Sequence, residues 1–79
     1  MNFFDYKAEE VWFTATDMYV QLSDGQIASL PLRNFPNLSK VTLQQLQKVT
    51  IINGYALHWE ELDEDISIAG FFEKKLENA

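Results

Sequence analysis

Between Glu9 and Leu22 apolar and polar residues alternate with a period of two, and this alternation constrains the fold more than any other feature of the chain. Side chains of a strand point to opposite faces in turn. A tight turn at Thr16-Asp17 pairs Ala15 with Met18, Phe13 with Val20 and Val11 with Leu22. One face then carries Val11, Phe13, Ala15, Met18, Val20 and Leu22, all apolar. The other carries Glu10, Trp12, Thr14, Tyr19 and Gln21. Such a separation specifies both the strands and the face each turns to the core. "SDGQ" supplies the next turn, since Asp-Gly is a strong hairpin signal. It is expected to place Ile27 opposite Leu22 on the apolar face. Residues 9 to 32 thus read as a three-stranded antiparallel meander. Near Leu30 the alternation shifts by one, and Pro31 cannot donate to a ladder, so a bulge or strand end at a sheet edge is expected there.

"RNFPNLSK" reads as a connection in which Pro36 holds Phe35 extended, with Phe35 and Leu38 tucked under the sheet. A short helix follows. Thr42 and Gln45 have the spacing of a capping box, and Val41 and Leu46 that of a hydrophobic staple, with Leu43 and Leu46 on one face. "KVTIINGYALHW" reads as a hairpin turning at Asn53-Gly54, residues that tolerate positive φ. That register puts Ile52, Tyr55, Leu57 and Trp59 on one face, and Val49, Ile51, Ala56 and His58 on the other. A helix from about Ser67 aligns Ile68, Phe71, Phe72 and Leu76 in one stripe, with Lys74 and Lys75 toward its C-terminus, where cations suit the dipole. The expected class is α+β: a three-stranded antiparallel meander, a short helix, a β-hairpin, and a C-terminal amphipathic helix packed on the sheet.

Composition narrows the function. The 79 residues make a single domain, 1–79, and 47% of them are apolar, enough for a small core. The absence of cysteine excludes a disulfide scaffold and thiolate metal sites. "MNFFDYKAEE" lacks the basic and apolar regions of a signal peptide, and no run approaches a membrane span, so a soluble cytoplasmic protein is expected. Six basic residues against twelve acidic ones give a net charge of −6, which opposes direct binding to a phosphate backbone.

The chain's chemistry concentrates in "LHWEELDEDISIAGFF", where five of the twelve carboxylates fall between Glu60 and Asp65, just after the single histidine. Counted from Asp63, the segment echoes a calcium loop at Asp65 and Ser67. It fails where glycine is needed, at Ile68, and where a bidentate glutamate is needed, at Lys74. His58 and Glu60 make at most a two-ligand fragment. The structural reading is favoured: Asp65 or Ser67 caps the last helix, the other carboxylates sit near its positive end, and Leu62 and Ile66 pin the loop to the core. His58 reads as a packed, hydrogen-bonded strand residue. No nucleophile elbow or glycine-rich phosphate loop is present. No catalytic residue, metal ligand or cofactor is assigned, and an enzyme is not expected.

Asp24-Gly25, Phe35-Pro36-Asn37-Leu38, Gly54, His58-Trp59 and Leu62-Asp63-Glu64-Asp65-Ile66-Ser67 together resemble the bacterial family catalogued as domain of unknown function 2442, over most of residues 8 to 73. Glu60 departs from the proline expected after the tryptophan. The resemblance implies a small α+β fold and no catalytic residues. Some relatives carry an added helix-turn-helix domain, and others are encoded beside another small protein in a toxin–antitoxin-like pairing. The functional expectation is a non-enzymatic protein-binding module, the antitoxin-like or regulatory member of a pair, binding another protein through the face around Trp12 and Tyr19. Packing of the two rings on each other, or under Phe3 and Phe4, is the plain structural account of the same residues. The alternative function is an acidic inhibitor that mimics nucleic acid, with Glu60, Glu61 and Asp63 as its contact residues. Membrane association is not expected, and self-association is left open.

Overall fold

The structure, a computed structural model, describes the backbone of residues 7 to 77 and the side chains of residues 7 to 72. It is α+β, with two antiparallel three-stranded sheets and a few short helices. The first sheet comprises β1 (Ala8–Phe13), β2 (Asp17–Leu22) and β3 (Ile27–Pro31), in that order. A 3₁₀ turn over Leu32–Asn34, α1 (Pro36–Ser39) and α2 (Leu43–Leu46) lead to the second sheet. That sheet orders β4 (Thr50–Ile52), β5 (Ala56–Trp59) and β6 (Glu64–Ser67), and α3 (Ile68–Glu77) follows directly.

The β1–β2 pairing sets Phe13 opposite Met18, Trp12 opposite Tyr19 and Val11 opposite Val20. The turn therefore lies one residue earlier than expected. The Thr14 hydroxyl stabilises it by accepting from the backbone N–H groups of Thr16 (3.3 Å) and Asp17 (3.0 Å). Partners slip by two positions, so inward and outward sets survive, except that Ala15 moves into the exposed turn. At the start of β1 a bulge at Glu9 lets Ala8 and Val11, three residues apart, both face inward.

The next turn carries a larger correction. Gln21 pairs with Ile27 and Val20 with Ala28, leaving a three-residue loop, Ser23-Asp24-Gly25, with Gly25 at φ +91°. One extra loop residue turns Ile27 outward, where it is 57% exposed, and brings Ala28 and Leu30 inward. No shift is needed at Leu30, and β3 ends at Pro31 on a sheet edge.

Phe35 and Leu38 are buried as expected, but the segment around them is a turn of helix, α1, with Pro36 at its start. The capping box of Thr42 and Gln45 is present in both directions, at 3.1 and 3.0 Å. Leu46 is buried, with Val41 packed against the core, while Leu43 is exposed.

In the β4–β5 hairpin Ile52 pairs with Ala56 and Ile51 with Leu57, again around three residues rather than two. Asn53 (φ 52°) and Gly54 (φ 79°) take the left-handed conformations of a primed turn. Tyr55 is the added residue. The expected faces are thereby corrected. Ile51 joins Leu57 and Trp59 on the core side, and Ile52 and Tyr55 are exposed. The N-terminal end of β1 lies against this turn, where the Gly54 carbonyl accepts from the Ala8 N–H at 2.7 Å. A Cβ on Gly54 would come within 3.2 Å of the Lys7 Cβ, so both φ and the close approach call for glycine.

The final correction concerns the acidic stretch. Residues 64 to 67 form a third strand, β6, with Trp59 opposite Glu64, His58 opposite Asp65 and Leu57 opposite Ile66. The four residues between are a hairpin loop with Asp63 at φ 49°, a conformation aspartate tolerates better than most residues. Ser67 is the N-cap of α3: its hydroxyl accepts from the Gly70 N–H at 2.9 Å. No acidic residue occupies the first turn of α3, so the carboxylates do not serve its dipole.

The core joins Met18, Val20, Leu22 and Leu30 of the first sheet to Leu57, Trp59 and Ile66 of the second, closed by Phe35, Leu38, Leu46, Ile68 and Phe71. Helix α3 packs against β3 and β6, and Phe71 stacks on Phe35 at 6.2 Å. The expected Leu76, Lys74 and Lys75 positions lie outside the described side chains. Trp59 is 1% exposed, and its indole N–H donates to the Leu46 carbonyl at 2.9 Å. Among the described residues no buried side-chain polar atom lacks a partner. No described helix is long and apolar enough to cross a membrane.

Candidate protein-interaction face

The outward positions of the first sheet form three rows. Glu10, Gln21 and Ile27 make the first, Trp12, Tyr19 and Ser29 the second, and Asp17 and Pro31 the third. Trp12 and Tyr19 are direct cross-strand partners, whereas the register expected from a Thr16-Asp17 turn sets them one diagonal step apart. Their rings are stacked with centroids 5.5 Å apart and 6° between planes. Trp12 remains 36% exposed and Tyr19 is half-buried. Stacking gives the pair a fixed orientation, worth about 0.5–1.5 kcal/mol beyond area burial. Cover from Phe3 and Phe4 falls outside the described residues. Ile27 adds an apolar group one diagonal step from Tyr19. The sequence reading missed it because Asp-Gly is compatible with loops of two and of three residues.

The carboxylates of the acidic stretch disperse in three directions. Glu60, Glu61 and Asp63 are exposed at the β5–β6 loop. Glu61 pairs with Lys48 at 3.0 Å, a surface ion pair worth about 0–1 kcal/mol. The Glu64 carboxylate accepts from the Asn37 side-chain amide at 2.6 Å, tying β6 to α1. Asp65 reaches across to His58, with Oδ1 2.5 Å from Nδ1. His58 is thus a half-exposed strand residue with a carboxylate partner, and that partner is Asp65 rather than Glu60. Among the described residues no three His, Asp or Glu side chains converge as a metal site would require. An open hollow of about 340 Å³ lies between α1 and β6, floored by Phe35, Pro36 and Ile66 and rimmed by Asn37, Glu64 and Asp65. The Asn37–Glu64 and His58–Asp65 contacts already engage its polar rim.

The structure therefore keeps the two sequence-derived groups apart. Trp12 and Tyr19 lie on the outer face of the first sheet, and Glu60, Glu61 and Asp63 at the tip of a hairpin in the second.

Comparison with known proteins gives a consistent result. The family model described as protein of unknown function (DUF2442) matches residues 8–77. Among solved structures, the chain is similar to a protein of unknown function from Rhodospirillum rubrum ATCC 11170. The two share 30% identity over 87% of each chain, with a TM-score of 0.78. No curated protein matches.

Proposed function

The chain belongs to the DUF2442 family of proteins of unknown function, and from its own surface we propose that it is a non-enzymatic protein-binding module that engages another protein through the outer face of β1–β3. The observation that carries this reading is the exposed Trp12 ring, held parallel to Tyr19 and flanked by exposed Ile27. Tryptophan and tyrosine are the residues most enriched at interface centres, and a pre-oriented ring pays little entropy on binding. The antitoxin-like or regulatory place in a protein pair, and action in the cytoplasm, belong to the same proposal.

Thermal melting combined with partner capture tests it. Trp12→Ala removes a half-exposed ring and leaves the described core untouched, so the protein stays folded. Capture of the cellular partner falls by about thirtyfold or more, the consequence of losing a central anchor. A folded Trp12→Ala, Tyr19→Ala protein with full capture would reject this face. The acidic-inhibitor reading has its own footing in the exposed Glu60, Glu61 and Asp63 carboxylates. If charge reversal at those three residues abolishes capture while Trp12→Ala does not, that reading replaces the first.

A further inference from the structure

The charges around the aromatic pair restrict the partner. The charged side chains of β1–β3 are Glu9, exposed at the bulge, and Glu10 and Asp17 on the outward rows, all acidic. Glu10 precedes Trp12 by two residues on β1, and Asp17 precedes Tyr19 by two on β2. Because the strands are antiparallel, the carboxylates lie at opposite ends of the Trp12–Tyr19 pair. Four residues of strand separate their rows, about 13 Å at the usual rise. None of the described basic side chains pairs with either outward carboxylate: Lys7 lies over the Tyr55 ring, Lys48 on Glu61, Arg33 lines a hollow with Ala15 and Thr16 beside the β1–β2 turn, and Lys40 follows α1. Among the described residues no cation forms an ion pair with Glu10 or Asp17, and the Asp17 carboxylate accepts only from the neighbouring Thr16 hydroxyl, at 2.6 Å.

We propose that this face docks a basic, arginine-bearing segment of a partner protein, with one guanidinium reaching Glu10 and packing on the neighbouring exposed Trp12 ring, and a second basic side chain reaching Asp17. This rests on the reading of the face as a protein-binding surface. Guanidinium is planar, weakly hydrated and stacks on aromatic rings, which suits it to a site offering both an indole and carboxylates. The carboxylates oppose a phosphate backbone or an acidic protein. They also oppose a second copy of this chain, since pairing the face with itself would bring two acidic surfaces together.

The probe is a blocked nonapeptide of Gly and Ser with arginine at positions 3 and 7 and leucine at position 5. Two arginines four residues apart in an extended chain match the roughly 13 Å between the carboxylate rows. A second peptide carries citrulline at both positions, with nearly the same shape and no charge. Binding is followed on the ¹⁵N-labelled protein by its two indole N–H signals. Trp12 responds, and Trp59, buried and bonded to Leu46, serves as internal reference. The arginine peptide is expected to shift the Trp12 signal and the amides of β1 and β2. Citrulline substitution, or the Glu10→Gln, Asp17→Asn double change, weakens binding by about fivefold or more, as loss of two exposed charge contacts would.

Equal affinity for the two peptides, no Trp12 shift at millimolar peptide, or shifts confined to the Glu60–Asp63 loop would each overturn the inference. Partner capture separates it from the reading beneath. Capture lost with Trp12→Ala but indifferent to Glu10→Gln, Asp17→Asn and to salt removes only the basic partner. Capture indifferent to all three substitutions removes the interaction face itself.

Discussion

Replacing Trp59 with alanine should nearly unfold the protein, whereas replacing Trp12 should not. Trp59 is 1% exposed, meets Phe13 edge-on at 6.4 Å, and donates its indole N–H to the Leu46 carbonyl at the end of α2. Trp59→Ala opens a cavity and removes a buried donor, a combined cost of about 3–5 kcal/mol. A chain of 79 residues has a total stability of about 4–12 kcal/mol at typical values per residue, so this one change removes a large share of it. Trp12→Ala forfeits mainly a surface stacking contact, about 0.5–1.5 kcal/mol. Trp59→Phe divides the larger number: it keeps an aromatic ring and loses the donor and part of the volume, and should fall between the other two. Urea titration followed by far-UV circular dichroism avoids relying on the tryptophan signal being deleted. With a slope of about 1 kcal/mol per molar, expected for a small domain, Trp59→Ala should move the midpoint down by about 3–5 M and Trp12→Ala by about 1 M. Similar midpoints for the two alanine variants would refute the division into core and interface tryptophans. Equal costs for Trp59→Phe and Trp59→Ala would show that the Leu46 hydrogen bond, not the packed volume, dominates the site.

Three further outcomes follow from local geometry. Gly54→Ala should cost about 1–2 kcal/mol from its positive φ alone, and more than Gly25→Ala, because a Cβ at Gly25 meets nothing within 4 Å while one at Gly54 meets Lys7; equal melting temperatures for the two would contradict this. Thr42→Ala should lower stability by about 1 kcal/mol through loss of both halves of the capping box, measured as a shift in the same urea midpoint. Calorimetric titration with calcium, magnesium, manganese and zinc should show no one-to-one binding at micromolar affinity; an isotherm abolished by Asp63→Asn, Asp65→Asn would assign the acidic loop a metal after all.

The local devices were legible before any fold existed. The capping box at Thr42 and Gln45, the positive-φ turn at Asn53-Gly54 and the buried Phe35 and Leu38 all follow from residue types a few positions apart, as does a cap at Asp65 or Ser67, of which the structure uses Ser67. So did the two faces of β1 and β2, because an even slip in strand pairing changes neighbours without changing sides. The acidic stretch is where local reading reached its limit. Its run of carboxylates reads as a solvated loop, whereas Glu64–Ser67 is an edge strand whose ladder partners all lie on β5. Nothing within four residues of Ile66 signals that pairing.

What the sequence by itself determined was the inward or outward sense of Trp12 and Tyr19, and with it the candidate face. Tertiary structure alone decided the loop lengths after β2 and β4. Asp-Gly and Asn-Gly each admit a loop of two or three residues, and with Ile27 and Ala28 both apolar after the first and both faces of the second hairpin apolar, the local pattern does not choose between them. The choice is made by the whole core: the three-residue loops bring Leu30, Ile51 and Leu57 inward beside Trp59 and send Ile27, Ile52 and Tyr55 out to solvent. One added residue reverses every side chain that follows it, and only the packing of both sheets against α3 determines which reversal buries the better set.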